Sequence, residues 1–487
     1  MSSGLDNLEP SRLWALFAEV CAIPHPSGGE SRLADYIVAK ADDAGVECRR
    51  DAAGNVLVRV PSSPGRVEVP TTILQAHLDM VPQKNAAKEH DFKSDPITPV
   101  IDGGWVAADG TTLGADNGIG VAAMLAIMEM DDLDTGPIDL LFTVKEEVGL
   151  VGAAELDGTM LDADILINLD SEEVDTIITG CAGGADTEFS SRLDFERVSG
   201  ADWSFFSLCL SGLEGGHSGV DIHLRRGNAI IELARVIDDV SGEVDCRVAD
   251  IRGGSLSNAI PREAEAILAV PKGADIATAV EAAETAFRRR SRSTDPEAEL
   301  ETAESAPFLE IASKEGQRRL IRLLADFPDG PFDVCEDFES AVQSSSNLGA
   351  VELDKGQLFL RTMQRGVSSE FLNAAIGKVS SHALSLGCDA KKGAAFPPWT
   401  PSRDSSLLKR AVCVAEKVLG RPPKVEVIHA GLECGVIGAK RRGMEMISIG
   451  PTIKHPHSPN ERVEIESVAI FHEVLIRVLS GTEPCRK

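Results

Sequence analysis

The chain has 487 residues, enough for two to four domains of ordinary size. Hydrophobic residues make up 43% and charged residues 26%, the balance of a soluble globular protein with ample material for a core. Its 77 acidic residues against 48 basic ones leave a net charge of −29, which sets aside nucleic acid or an anionic membrane as the main partner, because phosphates need a positive surface. Most of that excess reads as a solvated acidic face, leaving a minority of acids to gather around cations. The N-terminus lacks a basic stretch followed by an uninterrupted apolar core. No apolar run reaches the ~20 residues of a membrane span. Ten scattered cysteines without a C-x-x-C pair read as reduced thiols, and the expected location is cytoplasmic.

In chain order, "SRLWALFAEVCAI" places Leu13, Leu16, Phe17 and Val20 at helical spacing, and "IPHPSGGE" breaks that helix. A second helix is expected near Ser31, then strands at "NVLVRV" and "TTILQAHLDMV". After the Gly-rich turn "LGADNGIG" comes an apolar helix, "VAAMLAIMEM", then a strand "IDLLFTV", a polar "KEEVGLVGAAEL" and a strand "ADILINLD". Strands alternating with helices predict an α/β sheet, mixed but mostly parallel and covered on both faces, with sites at the C-terminal ends of its strands. From residue 186 to 394 the texture changes to shorter strands ("FFSLCLSGL", "AILAVP", "QLFLRTM") between helices such as "RGNAIIELARVIDDV", an α+β pattern. The Pro-rich "FPPWTP" then resets the chain. A last α/β stretch follows, with helix "SSLLKRAVCVAEKVL", strands "KVEVIHA" and "MEMISIG", and a closing helix "IESVAIFHEVLIRVLS". The economical organisation is a discontinuous domain of residues 1–185 and 395–487, split by an inserted domain of residues 186–394.

Chemistry concentrates where apolar strands stop. His77 and Asp79 stand two apart, on one face of an extended strand. Asp116 sits in the Gly-rich turn, Glu146 and Glu147 follow "DLLFTV", and Asp170 closes "ADILINLD". Solvated carboxylates are usually spread along helices, so this clustering at strand ends points elsewhere. A two-zinc site needs a terminal histidine and acid for each ion, a bridging acid, and one free carboxylate as base. His77 with Asp170, and Glu147 with a second histidine, supply the terminal pairs. Asp116 bridges, Glu146 is the base, and Asp79 accepts the other N–H of His77 and fixes its tautomer. For the second histidine the pattern leaves His429, His455 and His457 open.

The ordered motifs "AIPHPSGGE", "LQAHLDMV", "TLGADNGIGVA", "KEEVGLVGA", "NLDSEE", "TGCAGG", "GGHSG", "SNAIPRE", "IHAGLECG" and "SIGPTIKHPHSPNERV" resemble the M20 metallopeptidases over nearly the whole chain, specifically their aminoacyl-histidine dipeptidase subfamily. The resemblance implies a three-layer zinc-peptidase catalytic domain interrupted by an α+β lid that mediates a homodimer. It assigns the second histidine to His457 and implies two Zn²⁺ per subunit, with Mn²⁺ or Co²⁺ as possible occupants of the same ligands. Within the lid, His217 is similar to the histidine that stabilises the oxyanion, often across the dimer. Asn258 and Arg365 resemble the groups that hold the substrate's C-terminal carboxylate. The bland readings are a loop histidine bonded to backbone and a surface salt bridge. His25 stands where an arginine is common, with no catalytic consequence expected. The implied reaction is hydrolysis of dipeptides, Xaa-His among them, by a water activated between the ions with Glu146 as general base. Two other readings are an M20 amidohydrolase acting on N-acyl amino acids and a non-catalytic binding homologue.

Overall fold

The computed structural model describes residues 4–130, 132–334, 342–402 and 404–481. The chain folds into two compact units, one of Met1–Cys181, Trp399–Val427 and Leu432–Lys487, the other of Ala182–Pro398 and Ile428–Gly431. Set beside the expected insertion of 186–394, the second unit is slightly longer at both ends. The cause is local: strand Asp389–Phe396 pairs antiparallel with strand Gly183–Arg192 as far as Phe396↔Gly184, and the Ala182 N–H donates to the Ile428 carbonyl at 2.9 Å.

In the first unit the strands are β1 (Glu47–Arg50), β2 (Val56–Val60), β3 (Thr72–His77), β4 (Pro99–Asp102), β5 (Trp105–Ala108), β6 (Ile138–Thr143), β7 (Ile165–Asn168) and β8 (Thr176–Cys181). The eight-stranded sheet runs β1-β2-β6-β3-β7, then strand Glu445–Ser448, β8 and strand Lys424–Ile428. Its centre is parallel, since β3 pairs in parallel with β6 and β7, and β7 with Glu445–Ser448. The β1-β2 and β2-β6 pairs are antiparallel, as is the contact of Glu445–Ser448 with β8. Strands β3 and β6 are buried along their whole length, as central strands covered on both faces must be.

Helices α1 (Ser11–Cys21), α2 (Ser31–Asp43) and α3 (Ala115–Met128) share one apolar core with the sheet and with the later helices Ser406–Leu419 and Ile465–Ser480. The α3 helix is apolar on nearly every side and is buried accordingly. Its first turn is not regular: Asp116 and Asn117 have non-helical backbone angles. Close packing explains Gly120, where an added Cβ would lie 2.0 Å from Asn117 Oδ1 and 3.0 Å from the Leu169 carbonyl. Strands β4 and β5 lie in a separate four-stranded sheet with the hairpin Ile453–Lys454 and Arg462–Glu464.

The second unit is built on a nine-stranded sheet whose registered pairings are all antiparallel. Helices Ala229–Glu243, Ile276–Ser291, Lys314–Ala325 and Ser369–Ser385 contribute to its core. Asn228, Asp275, Ser313 and Ser368 cap these helices with side-chain oxygens. The α+β texture seen in the sequence is therefore an antiparallel sheet with packed helices.

Candidate metal centre

Parallel strands carry their C-termini to one edge of the sheet, and the site residues collect there. His77 ends β3 in register with Thr143 at the end of β6, from which Glu146 and Glu147 follow. Gln75 of β3 is in register with Asn168 at the end of β7, two residues before Asp170. Asp116 arrives from the first turn of α3, behind Gly114, whose φ of 71° makes the turn one that glycine adopts without steric cost. His457 comes from the loop of the Ile453–Lys454/Arg462–Glu464 hairpin, in a left-handed conformation (φ 59°).

These side chains form two trios that share Asp116. His77 Nε2 lies 3.1 Å from Asp116 Oδ1 and 3.3 Å from Asp170 Oδ1. His457 Nε2 lies 3.2 Å from Asp116 Oδ2 and 3.0 Å from Glu147 Oε1. In each trio the candidate ligand atoms all fall within 4.8 Å of one another. Glu146 offers an oxygen within the same span of His77 and Glu147 and belongs to neither of these trios.

The donor chemistry fits a cation. His77 Nδ1 is 3.0 Å from the Asp79 carbonyl, an acceptor only, so Nδ1 carries a proton. A neutral imidazole then turns the Nε2 lone pair toward two carboxylate oxygens, which is repulsive unless a cation or a second proton lies between them. Glu147 Oε1 is buried 3.0 Å from His457 Nε2, another acceptor turned toward positive charge. The titration pattern has the same origin. Burial lowers the His77 pKa, but Asp170, Asp116 and Asp79 outweigh it and hold it well above 6.5. Hydrogen bonds to Asp116 and Glu147 raise His457 to about 11 against its burial. Burial raises Glu147 and Asp170 above the usual carboxylate range, whereas in Asp116 the two histidines overcome burial and lower the pKa.

Asp79 lies beside His77, but its carboxylate does something the sequence did not suggest. Its Oδ1 is 3.6 Å from His77 Nδ1, beyond hydrogen-bond reach, because the residue's own carbonyl takes that proton. The carboxylate instead accepts from the backbone N–H of Glu146 at 2.9 Å, the N–H of Glu147 at 3.2 Å and the Ser27 hydroxyl at 2.8 Å. Glu30, which is buried, accepts from the N–H groups of Gly28 and Lys145. The segment that presents Glu146 and Glu147 is thus fixed through its amides.

A profile of peptidase family M20/M25/M40 matches residues 73–481. The chain belongs to the M20 peptidase family. It is 40% identical to the cytosol non-specific dipeptidase of Escherichia coli K12 over 481 residues, 98% of this chain and 99% of that one. Among solved structures, aminoacylhistidine dipeptidase from Vibrio alginolyticus aligns over 99% of both chains with 37% identity and a TM-score of 0.87. Aminopeptidase PepT from Bacillus cereus, at 18% identity and a TM-score of 0.56 over 97% and 98% of the two chains, shares the fold. The fold is that of this family, a zinc-peptidase catalytic domain with a lid domain, and its members are metallopeptidases.

Several residues packed around the candidate centre gave no sequence signal. Glu433 is fully buried and accepts from Gln75 Nε2 at 2.5 Å and the Thr143 hydroxyl at 2.7 Å, while Gln75 Oε1 accepts from Asn168 Nδ2 at 2.7 Å. This network joins the ends of the three strands that lead to candidate ligands, and burial raises Glu433 to about 7. Asn117 donates to Asp170 Oδ1. Glu461 accepts four backbone amides from the Asp116 turn. Of the histidines left open by the sequence, His455 is exposed with φ 55°, and His429 belongs to the second unit, where its Nε2 is 2.7 Å from Ser345 Oγ. His25 is buried, with Nδ1 2.5 Å from the Ile23 carbonyl.

The expected substrate contacts all lie in the second unit. His217 pairs with Ala259, next to Asn258, whose carbonyl accepts the Ser218 N–H at 2.8 Å. His217 Nδ1 accepts the N–H groups of Gly219 and Val220, which leaves the proton on Nε2. That nitrogen lies 3.5 Å from Nη2 of the buried Arg365, so two donors stand side by side. The Asn258 side chain is exposed.

Proposed function

We propose that this M20 enzyme hydrolyses dipeptides with a free C-terminal carboxylate, Xaa-His among them, at a two-metal centre. The observation that carries the reading is the pair of trios sharing Asp116, with Glu146 alongside. His77 and Asp170 would hold one ion and Glu147 and His457 the other, with Asp116 shared between the two trios. When bound, two divalent ions acidify a water and polarise the scissile carbonyl; zinc suits the donor set, and manganese or cobalt would bind the same ligands.

Glu146 acts as the base that takes a proton from the attacking water and delivers it to the leaving amine. Burial raises its pKa, His77 pulls it back, and Asp170, Glu147 and Glu433 push it up again, to well above the ordinary glutamate range. Asp79 acts as the positioning group, because it holds the amides of Glu146 and Glu147.

In the second unit, His217 Nε2–H and the Arg365 guanidinium are a pair of donors suited to anionic oxygen. His217 is assigned to the developing oxyanion, and Arg365 with Asn258 to the substrate carboxylate. A clamp on that carboxylate restricts the enzyme to very short peptides. Assembly as a homodimer through the second unit and residence in the cytoplasm belong to the same reading; the supports are the family resemblance and the cytosolic E. coli relative. No helix of the described residues is long and apolar enough to cross a membrane.

The test is a panel of Ala-His, carnosine, Cys-Gly, an amidated dipeptide and an N-acetyl amino acid on zinc-, manganese- and cobalt-reconstituted protein. Turnover of free dipeptides alone is expected. Preference for the N-acetyl amino acid would make the chain an amidohydrolase of the same family, and no turnover of any with two ions bound would make it a binding homologue.

A further inference from the structure

Four successive backbone amides, those of Leu113, Gly114, Ala115 and Asp116, converge on one side chain. Glu461 Oε2 accepts the first two at 2.8 and 3.0 Å, and Oε1 accepts the others at 2.8 and 3.3 Å. Hydrogen bonding of the helical type resumes only with the Gly118 N–H on the Gly114 carbonyl. The amides ahead of it lack helical acceptors, and with Glu461 only 2% exposed, water cannot readily replace the carboxylate. The turn is therefore a cradle of N–H groups closed around an internal anion.

The same glutamate lies four residues beyond His457 in a hairpin loop closed by the pairs Ile453↔Val463 and Lys454↔Arg462. Inside that loop the Glu461 N–H donates to the Ser458 carbonyl at 3.0 Å, and Ser458 Oγ donates to the His455 carbonyl at 2.9 Å. One side chain thus links the backbone presenting Asp116 to the backbone presenting His457.

We infer that Glu461 is a positioning residue of the metal centre: its amide-bound carboxylate sets the Asp116 turn and fixes its place relative to the His457 loop. The inference rests on the metal-binding reading above. It differs from an ordinary buried cap in one respect, that its loss weakens cation binding more than it weakens the fold.

The experiment measures Zn²⁺ affinity by competition with a chromophoric chelator, and melting of the metal-free full-length chain, for wild type, E461Q and E445Q. In E461Q one acceptor oxygen becomes an amide NH₂ that faces two N–H donors. In the control, Glu445 accepts from Ser405, Ser406 and the Leu407 N–H at the start of helix Ser406–Leu419, with none of the proposed metal ligands among its partners. Expected is a loss of Zn²⁺ affinity of about 10–100-fold in E461Q, as for other groups that orient ligands, with unchanged affinity in E445Q. The visible spectrum of the Co²⁺-loaded E461Q protein is also expected to change. Wild-type affinity in E461Q, or losses in both variants that simply follow their melting temperatures, would overturn the inference. Should E461Q fail to fold, E461D serves instead: it keeps the charge but is one methylene shorter, and wild-type affinity there would equally overturn it. A wild-type chain that binds no Zn²⁺ would remove the metal-binding reading itself, whereas wild-type binding with an unaffected E461Q removes only the role of Glu461.

Discussion

Asp79→Ala separates two accounts of how an acid beside a metal-binding histidine works. If the carboxylate steadied the imidazole, its loss would cost metal affinity by about 10–100-fold. The geometry says otherwise, since the His77 Nδ1 proton goes to the Asp79 carbonyl, which an alanine retains. What disappears is the acceptor for the Glu146 and Glu147 amides and for the Ser27 hydroxyl. Each buried donor left unpaired costs about 1–3 kcal/mol. Two amides give about 2–6 kcal/mol, and relief of repulsion among neighbouring acids brings the expected loss to about 2–4 kcal/mol.

The assay is urea unfolding of EDTA-treated protein, with zinc content by elemental analysis and kcat of the fully loaded enzyme. The unfolding midpoint should fall, zinc affinity should change by less than ~10-fold, and kcat should drop by ~100-fold as Glu146 loses its anchor. Loss of zinc at unchanged kcat per loaded site would refute this reasoning and return Asp79 to the imidazole.

Glu146→Ala should retain both metals and lose about 10²–10⁴-fold in kcat; loss of metal would make Glu146 a ligand. Arg365→Ala should raise KM for free dipeptides much more than for their C-terminal amides, and an equal rise for both would remove the carboxylate clamp. For metal-stripped protein, stability should fall as pH rises from about 5 to 10, while the stabilisation conferred by added zinc grows. The sign follows from two groups of shifts. Glu172, raised mainly by burial to about 8, and Glu433, raised to about 7, oppose folding increasingly above 4.5, while the stabilisation from His457, raised to about 11, is complete below 6.5 and lost through 11. Thermal melts with EDTA and with zinc at each pH decide it; a stripped protein that gains stability toward alkaline pH would contradict the assignment.

What could be read from the sequence was whatever leaves a side-chain signature at the end of a strand. His77, Asp116, Glu146, Glu147 and Asp170 were legible because apolar runs such as "DLLFTV" and "ADILINLD" announce parallel strands, whose ends define one edge. Strands β4 and β5 were not anticipated: β4 is exposed in three of its four positions and has no buried face to set an alternation. The choice of His457 over His455 depends on loop conformation, since both residues have positive φ and only one reaches the carboxylates. The work of Asp79 and Glu461 was illegible for another reason. Their partners are backbone amides, present at every non-proline residue and carrying no mark in the sequence.

Those amide-held acids share a pattern. Asp79 binds the amides of 146 and 147, Glu30 the amide of 145, and Glu461 the amides of 113–116. The two ligand-bearing turns, around Asp116 and around Glu147, thus each enclose carboxylates outside the proposed ligand set. An anion supplied by the chain satisfies N–H groups that would otherwise face a buried acidic centre with no acceptor of their own. It also fixes the turns before any cation arrives, so the mutual repulsion of Asp116, Glu147 and Asp170 is resisted by backbone hydrogen bonds rather than by the ions alone. Substituting a ligand should therefore empty the centre, whereas substituting an amide-held acid should leave the ligands present but displaced.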